Sequence, residues 1–165
     1  MDLARFWRHI RMTPTKAARA FPAPVMEAIG REIAAQEELH RGELLVVVEA
    51  ELHSAQLWRD LGPRQRAREV FAQQGVWNTE ENNGVLLYVL LADRAVEIVA
   101  DRGIHARVSD DEWRSICAAM EREFSQGRYQ EGAVAGVRAV SALLARHFPA
   151  TGSRRNELSD KPVLM

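Results

Sequence analysis

The stretch E-N-N-G-V-L-L-Y-V-L-L-A-D-R-A-V-E-I-V-A-D-R-G-I-H-A-R-V-S-D-D, residues 81–111, decides the fold of this chain. Its turn at Asn82–Gly84 leads into a continuously apolar run, 85–91, which is typical of a strand covered on both faces of a sheet. The pair Asp93-Arg94 predicts a two-residue reversal, and a third strand is predicted at 95–100. The stretch therefore predicts a buried hairpin with polar groups at both of its ends.

Helices and one further strand are predicted around this hairpin. Residues 43–52 contain another β-branched apolar run, and a helix predicted over 63–75 joins it to the hairpin. Two strands that are joined through a helix pair in parallel, with a right-handed crossover. The capping box of Ser109 and Glu112 begins another helix, and a last helix is predicted at 130–147. The order strand, helix, strand, strand, helix, helix predicts an α/β fold, a compact α/β/α sandwich with a small mixed β-sheet of at least three strands.

Charge is distributed unevenly along the 165 residues, although the net charge is only −1. That net charge predicts no nucleic acid partner. Residues 1–24 contain five basic side chains and one acidic one, and we interpret them as a basic amphipathic N-terminal segment. Residues 25–149 are predicted to form the folded domain, and 150–165 a mobile C-terminal tail. The single cysteine, Cys117, excludes an internal disulfide and a cysteine-rich metal site.

Residues 1–20 leave two interpretations open. Four apolar side chains fall on one helical face, namely Leu3, Phe6, Trp7 and Ile10. Such a face usually packs on its own domain or on a partner, but with arginines beside it the face also suits an anionic membrane surface. The sequence has no run long enough for a membrane-spanning helix and no signal-peptide pattern. We therefore expect a cytoplasmic protein, with residues 1–20 in contact with a membrane surface, with a partner such as a membrane protein, or with their own domain.

The predicted topology divides the polar residues between the two ends of the sheet. One end collects Glu51, His53, Asp93 and Arg94. The other end collects a larger set: Asn82, Asn83, Gly84, Asp101, Arg102, Gly103, His105, Asp110 and Asp111. Loop carboxylates are ligands that calcium prefers, which makes Asp101, Asp110 and Asp111 candidate metal ligands. Arg102 and the helix that starts after Ser109 would instead favour a phosphate. The second end is therefore the predicted site, for a cation or an anion.

Standard catalytic signatures are absent from the sequence. It has no G-x-x-x-x-G-K-[ST] phosphate loop, no G-x-S-x-G, no H-E-x-x-H and no D-x-[DN]-x-[DN]-G calcium loop. No nucleophile beside a base can be named from the spacing of residues. The sequence thus predicts a fold and a binding site, and it predicts no reaction.

Five pieces of the sequence carry a resemblance to a known family. They are G-E-L-L-V-V-V-E at 42–49, N-N-G-V-L-L-Y-V-L-L-A-D-R at 82–94, A-V-E-I-V-A-D-R-G-I at 95–104, V-S-D-D at 108–111 and F-S-Q-G-R-Y-Q-E-G-A-V-A-G-V at 124–137. With these pieces, the span from about 26 to 148 resembles the TPM domain, which is named after a thylakoid-lumen acid phosphatase and its relatives.

The resemblance implies a compact α/β/α sandwich. It also implies phosphatase activity for some relatives, calcium binding for some, and roles in assembly or repair of membrane complexes for others. Carried over by position, the site-like pieces of the family fall on Asn83, Gly84, Arg102, Gly103 and Asp110. Two functions stay open: binding of a small ligand or calcium with weak phosphomonoester hydrolysis, or a non-enzymatic interaction module that assists a membrane protein or complex.

Overall fold

A mixed sheet lies at the centre of the computed structural model, which describes residues 2–152 and 156–165. Within these residues its four strands are β1 (Glu43–Glu49), β2 (Gly84–Leu90), β3 (Ala95–Ala100) and β4 (Val163–Leu164). They lie in the order β3-β2-β1-β4. Strand β1 pairs in parallel with β2 and with β4, whereas β3 is antiparallel to β2. The predicted parallel pair and the predicted hairpin are both confirmed.

Helices cover both faces of this sheet. Over the described residues they are α1 (Leu3–Arg11), α2 (Pro14–Ala20), α3 (Ala23–Glu37), α4 (Ser54–Trp58), α5 (Pro63–Gln73), α6 (Arg102–His105), α7 (Asp110–Ser125) and α8 (Tyr129–His147). One core layer joins the sheet to α3, α7 and α8, and the other joins it to α4 and α5. Every position of β1 and β2 is buried, because side chains on both faces of each strand meet a helical layer. The predicted α/β/α sandwich is therefore the observed architecture.

The connections differ from the prediction in two ways. The hairpin turns through four residues, 91–94, because Leu90 is the last residue of β2 to pair, with Ala95. The predicted two-residue reversal is therefore wrong. In the four-residue turn the Arg94 N–H donates to the Leu91 carbonyl at 3.1 Å, and Arg94 adopts a left-handed φ of 53°. Helices α4 and α6 occupy segments that were predicted as connections; with five and four residues they are too short to show a helical period.

The end of the chain also differs from the predicted tail over 150–165. Val163–Leu164 adds a short parallel strand to the edge of β1, and the backbone N–H of Met165 donates to the Val48 carbonyl at 2.8 Å. A two-residue strand has too few positions for an alternating pattern, so the sequence offers no signal for it. Residues 153–155 of the predicted tail lie outside the described residues.

Candidate functional site

The asparagine turn and the bend after β3 meet at one end of the sheet. The Asp101 N–H donates to the Gly84 carbonyl at 2.8 Å, and the Gly103 N–H donates to the Asn82 carbonyl at 2.9 Å. Arg102 Nε donates to Asn82 Oδ1 at 3.2 Å. These contacts follow from the antiparallel hairpin, which places the start of β2 beside the end of β3. The structure therefore brings this part of the predicted site together.

Asn83 is a buried side chain that binds protein groups. Its Nδ2 donates to the Arg41 carbonyl at 3.0 Å and to Glu81 Oε2 at 3.2 Å. Its backbone N–H donates to Thr79 Oγ1 at 3.1 Å. A buried amide with these partners holds the turn onto the start of β1, and packing accounts for its presence.

Two glycines at this end are required by close backbone approach. A Cβ on Gly84 would overlap the carbonyl oxygen of Val76, which the end of α5 brings against β2. A Cβ on Gly103 would lie 2.6 Å from the Asn82 carbonyl oxygen, which is closer than real Cβ atoms come. Both glycines thus allow two backbone segments to approach each other closely. The sequence pattern alone does not show this role.

The two oxygens of the Asp101 carboxylate differ in their hydrogen bonding. Its Oδ1 accepts from the Arg102 N–H at 2.7 Å and so caps the short helix α6. Its Oδ2 is buried and has no hydrogen-bond partner among the described residues. His105, at the end of α6, is exposed. Asp101 Oδ2 thus keeps a hydrogen-bonding capacity that no described residue uses.

The other two predicted metal ligands lie in the first turn of α7. Asp110 and Asp111 are exposed, and Asp111 forms an ion pair with Arg114. Acidic side chains are stabilised at a helix N-terminus by the helix dipole alone. Across residues 2–152 and 156–165, no group of three or more His, Cys, Asp or Glu side chains is arranged to hold a metal ion. The structure does not gather Asp101 with these two acids, and calcium binding stays a prediction.

The opposite end of the sheet carries a buried charge network that covers Asp93. Arg5 Nη2 donates to Asp93 Oδ2 at 2.7 Å, and His9 Nε2 lies 3.1 Å from Asp93 Oδ1. The Leu52 N–H donates to His9 Nδ1 at 2.9 Å, so Nδ1 is an acceptor and Nε2 faces Asp93. Burial opposes ionisation of Asp93, but hydrogen bonds from His9 and Arg5 outweigh it and hold its pKa below its ordinary value. Helix α1 is thereby fixed to the hairpin turn.

Helix α1 is consequently turned with most of its apolar face outward. Leu3, Trp7 and Ile10 are 65%, 55% and 51% exposed, whereas Phe6 packs against the core layer of α4 and α5. The predicted packing of the apolar face on its own domain therefore holds for Phe6 alone. No helix among the described residues is long and apolar enough to cross a membrane.

A second buried network lies under α5, and sequence reasoning missed it. Arg66 Nε and Nη2 donate to the two oxygens of Glu49 at 2.9 Å each, and the Tyr88 hydroxyl also donates to Glu49. Arg66 Nη1 further donates to Glu69 Oε2 at 3.2 Å. The signal in the sequence was a glutamate that ends an apolar strand, which is costly to bury without a cation. Because every member has a partner, the network is structural.

Comparisons with known proteins place the chain in one family. The family model described as the TPM domain matches residues 15–143. The structure of the BA42 protein from the psychrophilic bacterium Bizionia argentinensis is similar, with 31% identity, a TM-score of 0.76, and coverage of 87% of this chain and 94% of that one.

The N-terminal domain of a P. gingivalis protein is also similar, with 28% identity, a TM-score of 0.60, and coverage of 78% of this chain and 81% of that one. The search of curated proteins gave no match. Because the family model covers most of the chain and two solved structures share its fold, this chain belongs to the TPM domain family.

Proposed function

We propose that this TPM domain is an interaction module that attaches to an anionic membrane surface through α1. One observation carries the proposal: α1 leaves Leu3, Trp7 and Ile10 exposed. The helix is held on its domain by Phe6 and by the polar side chains of Arg5 and His9. Exposed large apolar side chains that share one helical face are unusual on a monomer, and they mark a surface that another body covers.

The charges beside this face favour a lipid surface with negative head groups. Arg11 at the end of α1 and Lys16 and Arg19 in α2 are exposed, while the charge of Arg5 is balanced by Asp93. A basic side chain close to an anionic bilayer contributes about 1 kcal/mol to binding. A helix with apolar side chains on one side and arginines around them lies in the plane of the interface.

The test is vesicle co-sedimentation with two matched tryptophan variants. Trp7 is 55% exposed on α1, and Trp77 is 56% exposed at the other end of the sheet, after Val76. On vesicles of phosphatidylcholine with phosphatidylglycerol, Trp7→Ala should bind about tenfold more weakly than wild type, because a large apolar side chain no longer enters the interface. Trp77→Ala should bind as wild type does, and pure phosphatidylcholine should bind both poorly.

Equal binding by the two variants would refute the proposal. Absence of vesicle binding together with a Trp7-dependent interaction with a membrane protein would replace the lipid with a protein partner. Each tryptophan is exposed, so neither substitution opens a cavity in the core. A change in binding can therefore be assigned to the lost side chain and not to unfolding.

Calcium binding at the predicted site is a second candidate, and the buried, unpartnered Oδ2 of Asp101 favours it. Calcium takes six to eight oxygen ligands, so most of them would be backbone carbonyls and water, and the affinity would fall in the weak range of about 10⁻⁴–10⁻³ M. Calcium should raise the melting temperature of wild type and leave Asp101→Asn unchanged. Glu27→Gln, which changes an exposed acid on α3, is the control.

Weak phosphomonoester hydrolysis belongs to this second candidate and is assayed in the same samples with a chromogenic phosphoester. Turnover that requires both calcium and Asp101 would support it, since a bound cation polarises a phosphoryl oxygen and activates water. A calcium effect that Asp101→Asn retains would remove Asp101 from the site.

A further inference from the structure

A cleft of about 410 Å³ opens beside the carboxyl end of β2, at the opposite end of the sheet from the predicted site. Its volume is within the roughly 300–1,000 Å³ of small-molecule sites, and ligands of α/β folds commonly bind at the carboxyl ends of the strands. A more open groove of about 470 Å³ between α7 and α8 is lined by more acidic than basic side chains and by small residues. The cleft beside β2 is therefore the better candidate for a ligand.

The inner walls of the cleft are apolar. Met12 and Leu91 line it together with Phe124 and Tyr129. The rings of Phe124 and Tyr129 are stacked, with centroids 5.5 Å apart and an interplanar angle of 28°. Such walls suit the apolar body of a small molecule, because aromatic faces bury much surface with little loss of side-chain freedom.

The charged groups of the cleft are two cations and one carboxylate. Lys16 Nζ donates to the Arg11 carbonyl at 2.7 Å, and in the part of the chain that the structure describes Arg94 has no ion-pair or side-chain hydrogen-bond partner. The carboxylate is that of Glu121, whose Oε1 accepts from the Val96 N–H at 2.9 Å. This oxygen is therefore hydrogen-bonded to strand β3. The lining thus has a net positive charge, and its cations have donors left for a ligand.

Arg94 is not the residue that its turn prefers. Its φ of 53° lies in the left-handed region, which glycine and asparagine adopt most easily. The backbone of the turn therefore gains nothing from an arginine, whereas the cleft gains a guanidinium. The conformation of the turn therefore does not explain why an arginine stands at position 94.

We propose that this cleft binds a small amphipathic anion. Its carboxylate or phosphate head group would lie between Lys16 and Arg94, and its apolar body would lie against Phe124 and Tyr129. The guanidinium fork and the ammonium both donate to anionic oxygens, and the apolar walls exclude ligands that have only a charge.

Isothermal titration calorimetry with simple probes tests the proposal on the full chain. Octanoate should bind, and octanol, with the same body and no charge, should bind about tenfold more weakly, because it forms no charge-assisted hydrogen bond. Inorganic phosphate, which lacks the body, should also bind about tenfold more weakly. Octyl phosphate, measured in parallel, shows whether the site takes a phosphomonoester head as well as a carboxylate.

The variant Arg94→Asn separates binding from folding. Asparagine tolerates the left-handed conformation, so the variant should keep or raise the melting temperature while it binds octanoate about tenfold more weakly. Arg31→Gln removes an exposed arginine of α3 that does not line the cleft, and it should bind octanoate as wild type does. Trp7→Ala should also bind octanoate normally, which keeps this result independent of vesicle binding. Unchanged octanoate affinity in Arg94→Asn, or equal affinity for octanol and octanoate, would overturn the proposal.

Discussion

Replacing Asp93 with asparagine tests how α1 is held on its domain. The side chain of Asp93 is 6% exposed and that of Arg5 is 14% exposed. Asparagine keeps the shape of aspartate but cannot balance the Arg5 charge. Removing one partner of a buried ion pair costs about 3–5 kcal/mol. Because Arg5 Nη2 also donates to the Leu61 carbonyl at 2.6 Å, we expect the lower end, a loss of about 3 kcal/mol in the free energy of unfolding.

The pH dependence of this loss has a definite sign. Burial raises the pKa of Asp93, and hydrogen bonds from His9 and Arg5 lower it by more, so its folded-state pKa lies below the ordinary 3.8. A carboxyl with a depressed folded-state pKa stabilises the protein above its unfolded-state pKa, and that contribution is lost as the pH falls through the folded-state pKa. The difference between wild type and Asp93→Asn should be full at neutral pH and should shrink below about pH 4.

Urea denaturation followed by circular dichroism measures the free energies, and hydrogen exchange of the α1 amides shows whether the helix opens locally. Asp60→Asn is the matched control, since Asp60 also pairs with Arg5, at 3.8 Å, but its side chain is 72% exposed. We expect the control to lose less than about 1 kcal/mol. Equal losses in the two variants, or a difference that stays constant into acid, would refute the reasoning.

Three further predictions concern packing and buried groups. Gly84→Ala should lose more than about 3 kcal/mol of unfolding free energy in urea titrations, because its Cβ would overlap the Val76 carbonyl, whereas Gly62→Ala meets nothing within 4 Å and should lose less than about 1 kcal/mol. Glu49→Gln should lose about 3 kcal/mol in the same assay, since the buried Arg66 keeps only the more exposed carboxylate of Glu69 as a partner, and a loss under about 1 kcal/mol would contradict this. Burial raises the pKa of the Cys117 thiol to about 12, so an aromatic disulfide reagent should label it slowly in the folded protein and rapidly in urea, as absorbance will show.

The sheet was predictable because its strands carry strong local patterns. The apolar run within 43–52 and the run at 85–91 indicate strands buried on both faces, and the helix between them predicts a parallel pair. The contacts of Asp101 with Gly84 and of Gly103 with Asn82, at one end of the sheet, follow from that topology. The meeting of these two segments therefore needed no tertiary information beyond the order of the elements.

The roles of the residues at that site were not predictable. Gly84 is explained by the Val76 carbonyl and Gly103 by the Asn82 carbonyl, and both contacts depend on how separate segments pack. The same sequence letters are compatible with a ligand loop or with a tightly packed turn. Side chains from α2, the hairpin turn, α7 and the start of α8 line the cleft beside β2, and no local pattern marks residues so far apart in sequence.

The sequence by itself determined that residues 3–11 form a helix with one apolar face, because the period of its side chains is a local property. Only the tertiary structure decided which face turns inward. Asp93 lies 88 residues after Arg5 in the chain, and the two side chains are neighbours only in the folded structure. A buried carboxylate needs cationic and hydrogen-bonding partners, so Arg5 and His9 face the domain and the apolar side chains of Leu3, Trp7 and Ile10 remain exposed.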